Sequence, residues 1–164
     1  MNPLKTQAKS LSYAEFDRVY FKDSGPLEMI KNTQGSLQEI RFRTRGIRNM
    51  VVSNVPDIPL SVIEVIAMTC PNLHTFEGHL EKRSMLYFQM IFNSCALEDL
   101  HVSTEPGGKE FFRSRIPFLL PKSLRYLTIS IMGKFSPEDF DRFLKSCSAP
   151  LINLRIPISP FIDD

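Results

Sequence analysis

The chain predicts an α/β fold in which a curved parallel sheet carries helices along its convex side. Three features predict it. First, residues 124–129 (Leu-Arg-Tyr-Leu-Thr-Ile) and 151–156 (Leu-Ile-Asn-Leu-Arg-Ile) begin 27 residues apart and share apolar first, fourth and sixth positions. Second, the same box recurs upstream as Leu37-x-x-Ile40-x-Phe42 and Leu97-x-x-Leu100-x-Val102. Third, the stretch between boxes changes period. Ser136-Pro137-Glu138-Asp139 has the makings of a helix start, and Phe140, Phe143, Leu144 and Cys147 then fall at i, i+3, i+4 and i+7. Serine can cap a free backbone N–H, proline fits the first helical position, and acids suit the positive end of the helix dipole. The apolar spacing marks one helix face.

Taken in order, the boxes start at Phe16, Leu37, Leu73, Leu97, Leu124 and Leu151, at intervals of 21, 36, 24, 27 and 27. Phe16-x-x-Val19-x-Phe21 is a weak copy, and the box at Leu73 has Gly78 in its sixth position. These intervals lie near the roughly 20–29 residue period of leucine-rich repeats. The long interval calls for an insertion within residues 43–59. Helices are predicted over residues 26–31, closed by Gly35, and through Leu60, Ile63, Ile66 and Ala67, ending near Cys70-Pro71. Residues 83–94 form a third, apolar around much of its circumference, whose stripe of Met85, Phe88 and Phe92 belongs to a core. Residues 109–115 form a short fourth, stopped by Pro117. Parallel neighbours need a crossover of about a dozen residues; 21 residues separate Val102 from Leu124. The prediction is therefore a leucine-rich-repeat horseshoe, one domain over residues 1–164 with five or six irregular repeats, cut from a longer solenoid.

Alternation along a strand sends the fourth and sixth residues inward and the third and fifth outward. Parallel strands about 4.8 Å apart then line the outward residues up in columns. The third-position column reads Arg18, Glu39, Thr75, Asp99, Tyr126, Asn153, and the fifth reads Tyr20, Arg41, Glu77, His101, Thr128, Arg155. The candidate partner-binding residues on this concave face are Arg41, Arg43, Glu77, His101, Tyr126 and Arg155. Arginine and tyrosine suit such a surface because they combine apolar contact area with directional polar groups.

Composition bounds the remaining functions. The chain is 43% hydrophobic and 23% charged, with a net charge of +2. That balance argues against an extended nucleic-acid surface. No apolar run reaches the roughly 20 residues of a membrane helix, and the first residues lack a secretory apolar block. Cys70, Cys95 and Cys147 are odd in number and widely spaced, which suits reduced thiols in the cytoplasm or nucleus. They fill space at helix ends. His74 and His79 form a close pair with no second pair to complete a zinc site. No glycine-rich phosphate loop or nucleophile elbow is present, so no cofactor and no enzymatic activity are expected.

Two clusters merit weighing. Arg41, Arg43, Arg45 and Arg48 could grip an acidic or phosphorylated protein partner, or simply form a solvated strand edge. Asp99, His101 and Ser103 superficially resemble a hydrolase triad. Same-face neighbours on one strand lie about 7 Å apart, beyond the roughly 2.6–3.2 Å that successive triad members need. They are expected to decorate the sheet. Glu77 and His101 should be lateral neighbours, either a pH-sensitive pair or two solvated groups.

Residues 121–129 (Pro-Lys-Ser-Leu-Arg-Tyr-Leu-Thr-Ile), with Phe135-Ser136-Pro137-Glu138-Asp139-Phe140 and Phe143-Leu144-Lys145-Ser146-Cys147, resemble the C-terminal repeats of fungal F-box/leucine-rich-repeat-like proteins. Cys70-Pro71-Asn72-Leu73 resembles their helix-to-strand junction. The resemblance implies that the repeats recruit a protein client to a cullin-type ubiquitin ligase. In that family an F-box contacts the ligase adaptor. The first 36 residues here lack the Leu-Pro start and three-helix pattern of an F-box, so adaptor contact would require an F-box elsewhere. The alternative is a structural or self-assembling repeat remnant without a ligase role.

Overall fold

Strict alternation of burial builds the strands. Along Asp99–Thr104 every second residue is buried, so one side of the strand faces a core and the other faces out. The computed structural model describes residues 9–17, 25–43, 58–80, 87–104, 115–132 and 136–159. In them the elements run β1 (Tyr13–Asp17), α1 (Gly25–Asn32), β2 (Glu39–Arg43), α2 (Leu60–Thr69), β3 (Thr75–Leu80), α3 (Phe88–Ser94), β4 (Asp99–Thr104), α4 (Ile116–Leu119), β5 (Tyr126–Met132), α5 (Pro137–Ser146), β6 (Asn153–Arg155) and β7 (Ile158–Ser159). Strands β1 to β6 pair in chain order and every pairing is parallel. β7 joins the far end of β5 at the 27-residue offset that β6 also uses, 158 − 131 and 153 − 126. The helices pack beside one another against the buried face of the sheet.

One hydrogen-bond pattern recurs at each junction. The carbonyl at the second box position accepts two backbone N–H groups from the next box. Ser12 O takes the N–H groups of Gln38 and Glu39, Gln38 O those of His74 and Thr75, and His74 O those of Glu98 and Asp99. Glu98 O takes those of Arg125 and Tyr126, and Arg125 O those of Ile152 and Asn153. Turn side chains add to it: Ser36 Oγ donates to Leu11 O and Ser123 Oγ to Leu97 O, both at 2.7 Å, and Asn72 Nδ2 donates to Gly35 O at 3.0 Å.

This pattern corrects the first box. Ala14 pairs with Ile40 and Phe16 with Phe42, so Phe16 occupies the sixth position and the box starts at Leu11. The first two starts are then 11 and 37, an interval of 26, close to those downstream. Tyr13 and Glu15 take the outward positions assigned to Arg18 and Tyr20, which lie outside the described residues. Three helix expectations also shift. Pro117 sits in the first turn of α4 instead of stopping a helix, because an N-terminal residue has no intrahelical N–H bond to lose. Residues 109–114 lie outside the described residues. The third helix starts at Phe88, with Met85 and Leu86 outside the described residues. Leu144, expected to pack inward, is 51% exposed. The inward face of α5 instead runs through Asp139 and Phe143, and Leu144 lies about 100° further round. Ser136 Oγ accepts the Asp139 N–H at 3.2 Å and donates to Asp139 Oδ2 at 3.0 Å, which holds that carboxylate under the helix start.

The core follows box positions one, four and six: Leu37, Ile40, Leu73, Phe76, Leu97, Leu100, Val102, Leu124, Leu127 and Ile129 are buried. Leu154 and Ile156 are only partly buried, because β6 lies at the sheet edge. An aromatic run crosses the N-terminal half, with ring centroids 5.1 Å apart for Phe16 and Phe42, 5.8 Å for Phe42 and Phe76, and 5.2 Å for Phe76 and Phe88. Gly78 explains the missing apolar residue of the third box. A Cβ there would lie 2.6 Å from Ile58 Cδ1 and 2.9 Å from the Phe76 ring. Ile58, 2% exposed and just before α2, fills the space that a sixth-position side chain would take. We expect Gly78→Ala to lower stability by about 1–3 kcal/mol through overpacking. Adding Ile58→Val, which removes the clashing methyl, should recover part of that loss, as read by denaturant unfolding of the single and double variants.

Candidate functional site

The sheet face opposite the helices is set by the same alternation. Its third, fifth and seventh box positions are outward on each strand, and parallel register lines them up. Glu15, Arg41, Glu77, His101, Thr128 and Arg155 form one row across β1 to β6. Tyr13, Glu39, Thr75, Asp99, Tyr126 and Asn153 form the row beside it. The six residues singled out in the sequence (Arg41, Arg43, Glu77, His101, Tyr126 and Arg155) therefore share this face. Arg45 and Arg48 lie outside the described residues.

The N-terminal half of the face is a ladder of alternating charge. Arg41 binds Glu39 through Nε, and its Nη1 lies 3.6 Å from Glu77 Oε2. Arg43 reaches Glu77 at 3.4 Å and Glu15 at 3.5 Å. Glu77 thus ties two arginines from the neighbouring strand. Burial alone would lower the pKa of Arg41; the bond to Glu39 and the charges of Glu39 and Glu77 outweigh it and raise the value. The bond from the Tyr13 hydroxyl to Glu15 likewise raises the Tyr13 pKa, with desolvation adding to it.

His101 and Asp99 lie closer than strand spacing alone predicts. Their side chains lean along β4, and His101 Nε2 comes within 3.0 Å of Asp99 Oδ1. The contact is an ion-pair approach, and that buried oxygen has no hydrogen-bond partner. Ser103 instead meets His79 Nδ1 across the β3–β4 pair, at 3.1 Å. The triad residues are thus split between two histidines. Arg43, Glu77, His101, Ser103, Thr128 and Ser130 line a shallow pocket of about 310 Å³ at the C-terminal ends of β2 to β5.

No group of three or more metal-ligating side chains gathers among the described residues. No helix among them is long and apolar enough to cross a membrane. The three cysteines are free, Cys70 and Cys95 buried and Cys147 half-buried. Burial raises all three thiol pKa values, that of Cys95 to about 12. This is the opposite of what a nucleophilic cysteine needs.

Sequence reasoning missed Glu15 and Tyr13, because Ala14 is a small apolar residue in a box otherwise filled by larger ones. No family model, curated protein or solved structure matches the chain.

The Cys95 environment yields a prediction with a definite sign. The folded thiol keeps its proton to a higher pH than the unfolded one, whose ordinary value is 9.0. The stabilisation is therefore complete below pH 9 and is lost as pH rises toward about 12. Unfolding stability should fall over that window, and less steeply in Cys95→Ala. Alkylation at pH 8 should be slow for Cys70 and Cys95 in the native protein and should reach all three thiols in denaturant.

Proposed function

We propose that the chain is a leucine-rich-repeat solenoid whose open, concave sheet face binds a protein partner. One observation carries this reading: Arg41, Glu77, His101 and Arg155 stand in a single register row, with Arg43 and Tyr126 beside it. The core does not require those residue types. Tyr126 is 46% exposed, and a solvent-facing tyrosine amid ordered charges has the composition of a binding hot spot. The resemblance to fungal F-box/leucine-rich-repeat-like proteins supports making the partner a client of a ubiquitin ligase, with adaptor contact only if an F-box exists elsewhere. An acidic or phosphorylated client would have to displace Glu15, Glu39 and Glu77 from the two arginines.

A second reading, a self-assembling scaffold, draws on the β6 edge. Ile152 there is 71% exposed, and Arg155 occupies the row position that Glu15 holds at the opposite edge.

Affinity capture followed by cross-linking tests both. For a client recognised on the open face, Tyr126→Ala should weaken capture about tenfold or more, the usual scale of a central anchor. Arg155→Glu should weaken it independently, while the helix-side changes Glu138→Ala and Arg142→Ala should leave it unchanged. Circular dichroism should stay constant throughout. Client binding that fell only with the helix-side changes would put the site on the wrong face. Concentration-dependent growth of the protein alone, abolished by Arg155→Glu, would favour the scaffold.

A further inference from the structure

We infer that the open face takes a basic, extended segment of its partner, seating Lys or Arg side chains against Glu39 and Asp99 with Tyr126 alongside. The inference rests on the reading of this face as the binding surface and adds the chemistry of what it binds.

Charge is the first argument. From β1 to β5 the described outward side chains include four carboxylates, Glu15, Glu39, Glu77 and Asp99, and two guanidiniums, Arg41 and Arg43. That is a net −2 over these five strands, or −1 with Arg155 on β6 included, in a chain whose total is +2. Both guanidiniums are engaged by those carboxylates. A phosphate arriving here would add negative charge to a surface already in excess and would have to break an existing pair. A cation adds no negative charge; at Glu39 it would share the carboxylate with Arg41, and at Asp99 it would displace no lysine or arginine.

Asp99 is the second. Its side chain is about a third exposed, and the charged group set against its buried Oδ1 is His101, not a lysine or arginine. A charge-assisted bond from a partner guanidinium or ammonium is the strongest contact this carboxylate could make.

Tyrosine placement is the third. Tyr126 is the register neighbour of Asp99, and Tyr13 is that of Glu39. Both rings are substantially exposed. An aromatic face beside a carboxylate suits the two halves of a Lys or Arg side chain, the ring taking the stem or the cation and the acid taking the charge.

Spacing gives the partner a pattern. Glu39 and Asp99 are separated by two strand steps, about 9.6 Å at about 4.8 Å per step. A polyproline-II segment presents the same side every three residues, about 9.3 Å at about 3.1 Å per residue. The matching motif is a pair of basic residues three apart.

The test uses fluorescence anisotropy on the full chain. The probes are short acetylated peptides with an Arg-Pro-Pro-Arg core, with glutamates in place of the arginines, or with phosphoserines there. We expect the basic peptide to bind best and to weaken with added salt. Glu39→Gln with Asp99→Asn should weaken it about tenfold, the sum of two exposed ion pairs. The same pair should strengthen phosphopeptide binding, a gain that unfolding could not mimic. Tyr126→Ala should weaken the basic peptide while leaving circular dichroism unchanged. Preference for the acidic or phosphorylated peptide, still dependent on Tyr126, would overturn the charge assignment and spare the binding face. Binding of no peptide would overturn the inference. Basic-peptide binding indifferent to Tyr126 and to the charge-removing pair would overturn the binding face itself.

Discussion

A single carbonyl in each repeat sets the geometry on which the rest depends. The second box position accepts two N–H groups from the following box, at Ser12, Gln38, His74, Glu98 and Arg125. The two bonds come from consecutive residues, so a slip of one residue would lose at least one of them. A one-residue slip in a strand also turns its buried face to solvent. Hydrogen bonding and apolar burial therefore enforce the same register, and that agreement keeps six short strands parallel despite connections of unequal length.

Register in turn creates the surface chemistry. Arg43 and Glu77 are 34 residues apart in sequence, and their contact exists because β2 and β3 are held at a fixed offset. The same holds for the Arg43–Glu15 and His79–Ser103 contacts. The long interval between the second and third boxes does not disturb this alignment. Instead it returns Ile58 to the core at the place where Gly78 leaves room. The glycine and the isoleucine are two halves of one packing solution, which is why the box looks defective when read alone.

What could be read from the sequence follows from these causes. Apolar box positions repeat the same burial in unit after unit, so the strands, their order and the placement of Arg41, Glu77, His101, Tyr126 and Arg155 on one face were all legible. The first box was misplaced because Ala14 is a weak hydrophobic signal and Phe16 a strong one in the wrong phase. Leu144 misled because helix spacing fixes an arc but not its rotation, and the buried Asp139 cap turns that arc by one residue. The Asp99–His101 approach was ruled out on strand spacing between Cα positions, yet side chains that lean along a strand can close most of that gap. The ion-pair ladder was not legible at all, since it needs the register of strands far apart in sequence.

The ladder also bears on how such a face could bind. Its side chains are roughly a quarter to a third exposed, and partly exposed pairs of this kind contribute at most about 1 kcal/mol each. Their larger effect is on order. Long arginine side chains lose rotamer freedom when they bind, and here Arg41 and Arg43 have already lost it to Glu15, Glu39 and Glu77. A partner therefore meets side chains that need little further ordering, which lowers the entropic cost of association. The same pairing makes those arginines poor sites for a new anion, because any gain must exceed the bonds it replaces. A face built this way would favour partners that complete its charge pattern over partners that compete with it.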